Sequence, residues 1–248
     1  MTGAVVGIDT STPATATAVL LADGRTVEAR EDPAPGSRPG HTGRLLALLE
    51  QALAEAGVGW DGVERLAVGV GPGGFTGLRI GIATARALAQ ARGLALVGVS
   101  SLRALAAGAE SAPGGGVSSL RAPGAGAGAP GTVLAAIDAR RGEAFAAAWA
   151  GDHELLAPVA LGPAALAERV VALPRPVMAV GDGSVRFRDE LERAGAEVPA
   201  DGSAAHRVLA VQICRLGAEG RPAERDLLVP DYRREPDARP PERPRRTP

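Results

Sequence analysis

Residues 4–9 read AVVGID and residues 132–138 read TVLAAID. Each is a short apolar run that ends in Ile-Asp, which is typical of a buried β-strand. In both copies a second aspartate follows fourteen residues later, Asp23 in the first and Asp152 in the second, at a turn between two further strand-like runs. The same order of strand, turn, strand, turn and strand therefore predicts an internal duplication.

Helical and strand-like segments alternate after each of these three-stranded units. Apolar β-prone runs such as ERLAVGV, LALVGV and PVMAVG lie between segments of helical periodicity. This alternation predicts an α/β fold with mixed sheets covered by helices. We predict helices over 41–56, 76–92, 163–172, 184–194 and 203–219, and a further helix that begins at Ser100 or Ser101.

Shifts in composition divide the chain into four parts. Residues 1–110 form an N-terminal lobe and residues 132–229 a C-terminal lobe, whose last helix is a candidate to pack back on the first lobe. Residues 111–131 are rich in Gly, Pro, Ala and Ser without a period, which predicts a flexible linker. Residues 230–248 are rich in Pro and Arg and predict an extended, solvated tail.

The composition limits the classes of function. The 248 residues are 46% hydrophobic but only 2% aromatic, so Ala, Val, Leu and Ile must fill the core. A net charge of -1 gives no overall electrostatic footprint for nucleic acid. Cys214 is the only cysteine and is expected to be a buried apolar residue. We expect a cytoplasmic protein without membrane contact, since no signal peptide or transmembrane run is visible.

The turn after the first strand, Asp9-Thr10-Ser11, is the first candidate site. A carboxylate followed by small hydroxyl side chains can hold a magnesium ion and a phosphate. A glycine serves this purpose best because the backbone must approach the phosphate, and Ser11 stands in that place. A strand end whose polar groups bond one another is an equally supported interpretation.

The second candidate is the loop GVGPGGFTGLRIG at residues 69–81. Gly71, Gly73 and Gly74 permit backbone angles that other residues resist, Pro72 fixes one angle, and Thr76 is a candidate cap for the next helix. A glycine-rich loop before a helix is a generic anion site. The sequence lacks both the P-loop lysine and the GxGxxG spacing, so the loop with Asp9, Thr10 and Ser11 is at most a vestigial phosphate site.

The helices at 41–56 and 76–92 carry more apolar surface than one packed face needs. On the second helix Arg79, Arg86 and Gln90 share a narrow arc, and apolar or small residues cover the rest. We predict a partner surface on these two helices and favour its ridge of small residues for the partner side, whereas burial within one lobe remains the alternative. The predicted interface residues are His41, Leu45, Leu49, Leu53, Gly77, Gly81, Ala85 and Ala89.

Metal and nucleophilic chemistry are not indicated. His41, His153 and His206 are far apart in sequence and form no ligand pair. The nucleophile-elbow pattern GxSxG is absent from the sequence. We therefore predict no catalytic residue, no metal and no cofactor.

The segments IDTST, GPGGFTGLRIG, GVSSL and DARRGE occur in this order over residues 5 to about 145. Together they resemble the TsaB family. The resemblance implies the duplicated actin-like fold of sugar kinases and heat-shock ATPases. It also implies a non-catalytic dimerization subunit that binds a TsaD-like transferase and works with a TsaE-like ATPase. That complex threonylcarbamoylates the adenosine next to the anticodon of tRNA, which this chain would contact only through the complex.

The resemblance also places this chain beside its catalytic relative. The relative's metal motif, Val-x-His-x-x-x-His, falls on GVSSLRAL, so that Ser101 and Leu105 stand where the two histidines would be. Neither side chain can replace an imidazole ligand. In the family the first two helices of the N-terminal lobe form the partner surface. Two departures are Gly74, where the family usually has Ser, and the residue after Tyr232, where the family typically has Leu.

Two other classes of function remain as alternatives. An actin-like kinase or ATPase is disfavoured because Ser11 replaces the glycine of the first turn, and a metallopeptidase because no histidine pair is present. A homodimer of the isolated chain is left open. So is contact between the arginine-rich tail and tRNA, although a solvated tail without function is favoured.

Overall fold

Each half of the chain is built around a five-stranded sheet in the computed structural model, which describes residues 3–34, 36–111 and 131–233. Most of the predicted linker and the tail beyond Arg233 lie outside the described residues. The N-terminal half contains β1 (Ala4–Asp9), β2 (Thr15–Leu20), β3 (Thr26–Glu31), α1 (His41–Ala56), β4 (Val63–Gly71), α2 (Phe75–Arg92), β5 (Ala95–Ser100) and α3 (Ser101–Ser111).

The C-terminal half follows the same sequence of elements with shorter helices. It contains β6 (Thr132–Arg140), β7 (Glu143–Ala150), β8 (His153–Leu161), α4 (Pro163–Ala172), β9 (Val177–Val180), α5 (Asp182–Arg186), α6 (Arg188–Arg193), β10 (Ala196–Glu197) and α7 (Ala210–Glu219). Short 3-10 helices lie at Trp60–Gly62, Ala204–His206 and Arg225–Leu227.

The two sheets have the same topology. Their strand orders are β3-β2-β1-β4-β5 and β8-β7-β6-β9-β10. In each sheet the first three strands of the half are antiparallel neighbours, and the last two pair in parallel beside the first. Asp23 and Asp152 lie in the equivalent turns that follow β2 and β7. The predicted duplication and the actin-like fold class are thus confirmed.

The last helix of each half packs on the sheet of the other half. Helix α3 lies against β6 and β7, and α7 lies against β1, β2 and β4. One buried cluster consequently joins both halves, with members such as Val5 from β1, Leu102 from α3 and Ile137 from β6. Cys214 on α7 is fully buried, where its thiol donates to the carbonyl of Ala18 at 3.4 Å and burial raises the pKa of the thiol.

Two predicted helices have different boundaries in the structure. The predicted helix at 203–219 is wrong in its first part, because only a 3-10 turn precedes α7. Nδ1 of His206 accepts from the Gly181 N–H at 3.0 Å and Nε2 lies 3.0 Å from the Pro199 carbonyl oxygen, so these bonds hold the segment outside the helix. The predicted helix at 184–194 is divided at Phe187, whose φ is -109° and whose ring is buried in the core.

The C-terminal segment up to Arg233 docks on the N-terminal half instead of extending into solvent. Leu228 is buried beside Gly98 and Val70. The Asp231 N–H donates to the Val70 carbonyl at 2.8 Å. Among the described residues, no helix has both the length and the apolar character needed to cross a membrane.

The contact between α7 and β1 depends on Gly7. A Cβ at this position would lie 2.6 Å from Cys214 Sγ and 2.7 Å from the Ala210 carbonyl oxygen. We expect Gly7→Ala to destabilise the protein by about 1–3 kcal/mol, since overpacking must move a buried helix. Gly43→Ala is the control, because Gly43 is exposed on α1 and its Cβ would meet nothing within 4 Å, and this variant should gain up to about 1 kcal/mol of stability. Thermal melts check both variants. A melting temperature of Gly7→Ala at or above that of wild type would contradict the close packing of α7 on β1.

Candidate functional site

A cleft of about 900 Å³ lies between the two halves. The N-terminal half contributes the turn after β1 (residues 10–13), the loop before α2 and the start of that helix (residues 73–77). The C-terminal half contributes the β6–β7 hairpin (residues 137–141), and the C-terminal segment adds residues 231–233. The two candidate sites predicted from the sequence, the turn after β1 and the glycine-rich loop before α2, therefore border one cavity.

The carboxylate of Asp9 is turned into the protein and is only 1% exposed. Its Oδ1 accepts the Ser11 N–H at 3.0 Å and the Ser11 hydroxyl at 2.7 Å. Its Oδ2 accepts the Ser101 hydroxyl at 3.0 Å. Burial raises the pKa of Asp9, although these three hydrogen bonds oppose the rise. Both carboxylate oxygens of Asp9 thus accept hydrogen bonds from other groups of this chain.

The glycine-rich loop closes over this turn. The Gly74 N–H donates to the Ser11 carbonyl at 2.7 Å, and a Cβ at Gly73 would lie 2.3 Å from the same oxygen. The structure brings Asp9, Thr10, Ser11, Gly73 and Gly74 together, as the sequence suggested. Their polar groups largely bond one another, which favours the structural interpretation of the turn.

Thr76 does not have its predicted role. Helix α2 begins at Phe75 after Gly74, and no side chain caps this end. Thr76 is exposed and borders the cleft. The prediction of a Thr76 cap was therefore wrong.

The ridge of small residues on α2 faces the protein's own interior. The Thr10 hydroxyl donates to the Gly77 carbonyl at 2.8 Å, and a Cβ at Gly81 would lie 2.3 Å from Thr10 Oγ1. Ala85 and Ala89, on the same ridge, are fully buried in the hydrophobic core of the N-terminal half. The assignment of this ridge to a partner was wrong, because its small side chains let α2 approach the turn after β1.

The predicted interface residues of α1 are buried as well. Leu45, Leu49 and Leu53 are at most 5% exposed and pack in the core of the N-terminal half. His41 is buried, its Nδ1 lies 2.8 Å from Thr15 Oγ1, and burial lowers its pKa. The exposed arcs of the two helices consist of other residues, among them Leu46, Ala47, Ala83 and Ala87.

The C-terminal wall of the cleft contains a polar cluster that sequence reasoning did not single out. Asp138 accepts Arg186 at 2.6 Å and the Arg140 N–H at 2.9 Å, while its own N–H donates to Asp182 at 2.9 Å. Burial raises the pKa of Asp182. Arg140 and Arg141 have positive φ angles of 64° and 52°. The duplication was the available signal, because Asp138 occupies in β6 the place that Asp9 has in β1.

The positions matched to the metal ligands of the catalytic relative hold core residues. Ser101 and Leu105 are fully buried, and Ser101 donates to Asp9. Within the described ranges, no three His, Cys, Asp or Glu side chains are grouped as a metal site.

The duplicated sheets, the exchanged helices and the cleft between the halves define an actin-like protein whose first turn is closed by its own loop. A family model described as "TsaD: tRNA N6-adenosine threonylcarbamoyltransferase" matches residues 36–182. The "tRNA threonylcarbamoyladenosine biosynthesis protein TsaB" of Escherichia coli K12 is 34% identical over 239 residues, which cover 93% of this chain and 94% of that protein. The chain belongs to the TsaB family.

Two further comparisons agree with this assignment. The solved structure described as "YeaZ from Pseudomonas aeruginosa" has a TM-score of 0.71 and 29% identity, and the match covers 93% of this chain and 99% of that one. The tRNA N6-adenosine threonylcarbamoyltransferase of Geobacter sp. M21 is 47% identical, but only over 62 residues, 25% of this chain and 18% of that enzyme. The similarity to the transferase is therefore local, whereas that to TsaB extends over almost the whole chain.

The burial of Asp9 predicts a specific dependence of stability on pH. Its pKa is raised above 3.8, so the folded protein keeps a proton that the unfolded chain has already lost. Its contribution to stability must then fall as the pH rises through that window. We expect the melting temperature of wild type minus that of Asp9→Asn to decrease from about pH 4 upward and then to level off. A difference that grows with pH over this range would show that the carboxylate is stabilised as an anion.

Proposed function

We propose that this chain is a non-catalytic subunit for threonylcarbamoylation of the tRNA adenosine next to the anticodon, and that it binds a TsaD-like transferase. The Escherichia coli relative is named for biosynthesis of that nucleoside. A TsaE-like ATPase would complete the assembly. Since tRNA is the substrate, the proposal places the chain in the cytoplasm.

The main support for the proposal comes from the two positions, 101 and 105, that match the metal ligands of the catalytic relative. Both are occupied by side chains that serve the packing of this chain. Ser101 satisfies the buried carboxylate of Asp9 at 3.0 Å. Leu105 packs into the shared core, where its Cδ2 lies 2.7 Å from the place a Cβ on Gly181 would take. A histidine at position 101 would remove the hydroxyl that donates to Asp9 Oδ2, and a histidine at position 105 would overfill the core. The metal chemistry of the reaction is then expected from the partner.

The exposed arcs of α1 and α2 are the proposed partner surface. The two helices are in contact, and Leu46 is 53% exposed on α1 while Ala83 and Ala87 are exposed on α2. The C-terminal segment occupies another arc of α2, since Asp226 pairs with Arg86 at 2.7 Å. We call Leu46, Ala47, Ala83 and Ala87 the α1–α2 face. Its three alanines allow close approach of a second protein, and Leu46 offers it an exposed apolar side chain.

Nucleotide-dependent kinase or ATPase activity is the weaker alternative. A phosphate site needs free backbone N–H groups, and a metal site needs a free carboxylate. The Ser11 N–H and hydroxyl both donate to Asp9, and the Gly74 N–H donates to Ser11. Calorimetry of the purified chain with MgATP separates the two functions, because stoichiometric binding is expected only of the kinase.

Paired substitutions on α2 test the partner surface. Ala85→Arg should unfold or aggregate, because it places an unpaired charge in the core, where Ala85 is fully buried. Ala87→Arg should melt like wild type, yet weaken binding to the TsaD-like subunit about thirtyfold, since an interface substitution of this kind costs about 2 kcal/mol. Val171→Arg, at a 65% exposed position on α4, is the control and should fold and bind normally. If Ala87→Arg and Leu46→Arg both bind with wild-type affinity, the α1–α2 face is not the interface.

The absence of a catalytic role has its own test. We expect the purified chain to hold less than stoichiometric zinc or iron and to transfer no threonylcarbamoyl group to tRNA. Addition of the TsaD-like subunit and the ATPase should produce activity that depends on this chain. One equivalent of bound metal, or modification of tRNA by this chain alone, would overturn the assignment of a non-catalytic subunit.

A further inference from the structure

Aromatic side chains are scarce in this chain and concentrate at the cleft. The sequence contains three Phe, one Tyr and two Trp, and Phe75, Phe145 and Tyr232 all line the cavity. Phe75 and Tyr232 stack with ring centroids 5.3 Å apart and an interplanar angle of 27°. Each remains 44% exposed. The pair therefore presents exposed surface at the cleft.

One arginine contacts this aromatic pair, and two more border the cleft. The guanidinium carbon of Arg79 lies 4.2 Å from the Phe75 ring centroid, and its Nε donates to the Tyr232 hydroxyl at 3.1 Å. Arg38 and Arg233 line the cleft. Arg233 pairs with Asp231 at 2.7 Å, whereas neither Arg38 nor Arg79 has a carboxylate partner within the part of the chain that the structure describes.

We propose that Phe75, Arg79, Tyr232 and Arg38 form a contact site for an unpaired nucleotide of tRNA. The base would stack on the exposed ring surface, and the phosphate would pair with the guanidinium groups. This inference rests on the proposed function, because it makes tRNA the occupant. It goes further in giving this subunit a direct contact with tRNA, where the sequence predicted contact only through the complex.

The local charge favours RNA over a protein partner. The whole chain has a net charge of -1, yet Arg79, which has no carboxylate partner among the described residues, lies over the Phe75 ring, and Arg38 lines the cleft. The sequence that follows Arg233 continues this bias, with Arg234, Arg239, Arg243, Arg245 and Arg246 against Glu235, Asp237 and Glu242. Stacking tolerates any base, so the site would support affinity rather than sequence selection.

The test is the affinity of the complete complex for an unmodified tRNA transcript at several salt concentrations. Tyr232→Leu should weaken binding about fivefold or more with the salt dependence unchanged, because it removes stacking and no charge. Arg79→Gln should also weaken binding. It should make the negative slope of log K against log salt less steep by about 0.7, the value for one phosphate of a single strand. Val229→Ala is the control on the same segment, 63% exposed and outside the stack, and should bind like wild type.

Two parallel measurements separate the outcomes. Photocrosslinking of 4-thiouridine-substituted tRNA to the wild-type complex should label the peptides that contain Phe75 or Tyr232. This measurement requires no substitution in the protein. Binding of the TsaD-like subunit should be unchanged by Tyr232→Leu and Arg79→Gln. The tRNA site is refuted, and the proposed function is left intact, if both variants bind tRNA like wild type. The same holds if Tyr232→Leu weakens the binding of AMP but leaves the affinity for tRNA unchanged. Loss of subunit binding would assign the patch to the protein interface, and failure of the wild-type chain to bind the subunit would refute the proposed function itself.

Discussion

The hydrogen-bonded turn at residues 9–11 holds four elements of the N-terminal half in one arrangement. Asp9 links β1 to α3 through Ser101, and Thr10 links the same strand end to α2 through the Gly77 carbonyl. A Cβ at Gly69 in β4 would lie 2.0 Å from Asp9 Oδ2, so this strand also requires a glycine. The turn thereby fixes which arc of α2 faces inward and leaves the opposite arc for the α1–α2 face.

The duplication gives the two halves the same sheets but different turns. The turn after β1 is closed by the Gly73–Gly74 loop, and its carboxylate is buried. At the equivalent strand end of β6, Asp138 pairs with Arg186 at 2.6 Å, and the hairpin borders the cleft with Arg140 and Arg141. The cleft persists because the exchanged helices α3 and α7 hold the two sheets together.

Much of the fold could be predicted from local sequence patterns. The repeated Ile-Asp strand ends predicted the duplication, and periodicity predicted α1 from His41 to Ala56. Features set by distant contacts could not be predicted. Periodicity shows that Gly77 and Gly81 share an arc, but it cannot show that Thr10, 67 residues away from Gly77, lies against that arc.

The remaining errors have the same physical origin. The start of the predicted helix at 203–219 is held by His206, which binds the backbone of Gly181 and Pro199. Tyr232 is docked on α2 by its contact with Phe75, although the Pro- and Arg-rich sequence around it is typical of a solvated tail. The contact between Asp138 and Asp182 could likewise not be predicted, because only the folded chain brings α5 against the end of β6.

Hydrogen–deuterium exchange of the full chain, alone and with the TsaD-like subunit, shows directly whether the α1–α2 face binds the transferase. We expect binding to slow exchange in α1 and in the part of α2 around Ala83 and Ala87. Helix α4, on the C-terminal half, should exchange at the same rate in both states. Protection confined to α4 and the C-terminal sheet, or no protection on mixing, would contradict an account in which the α1–α2 face binds the transferase.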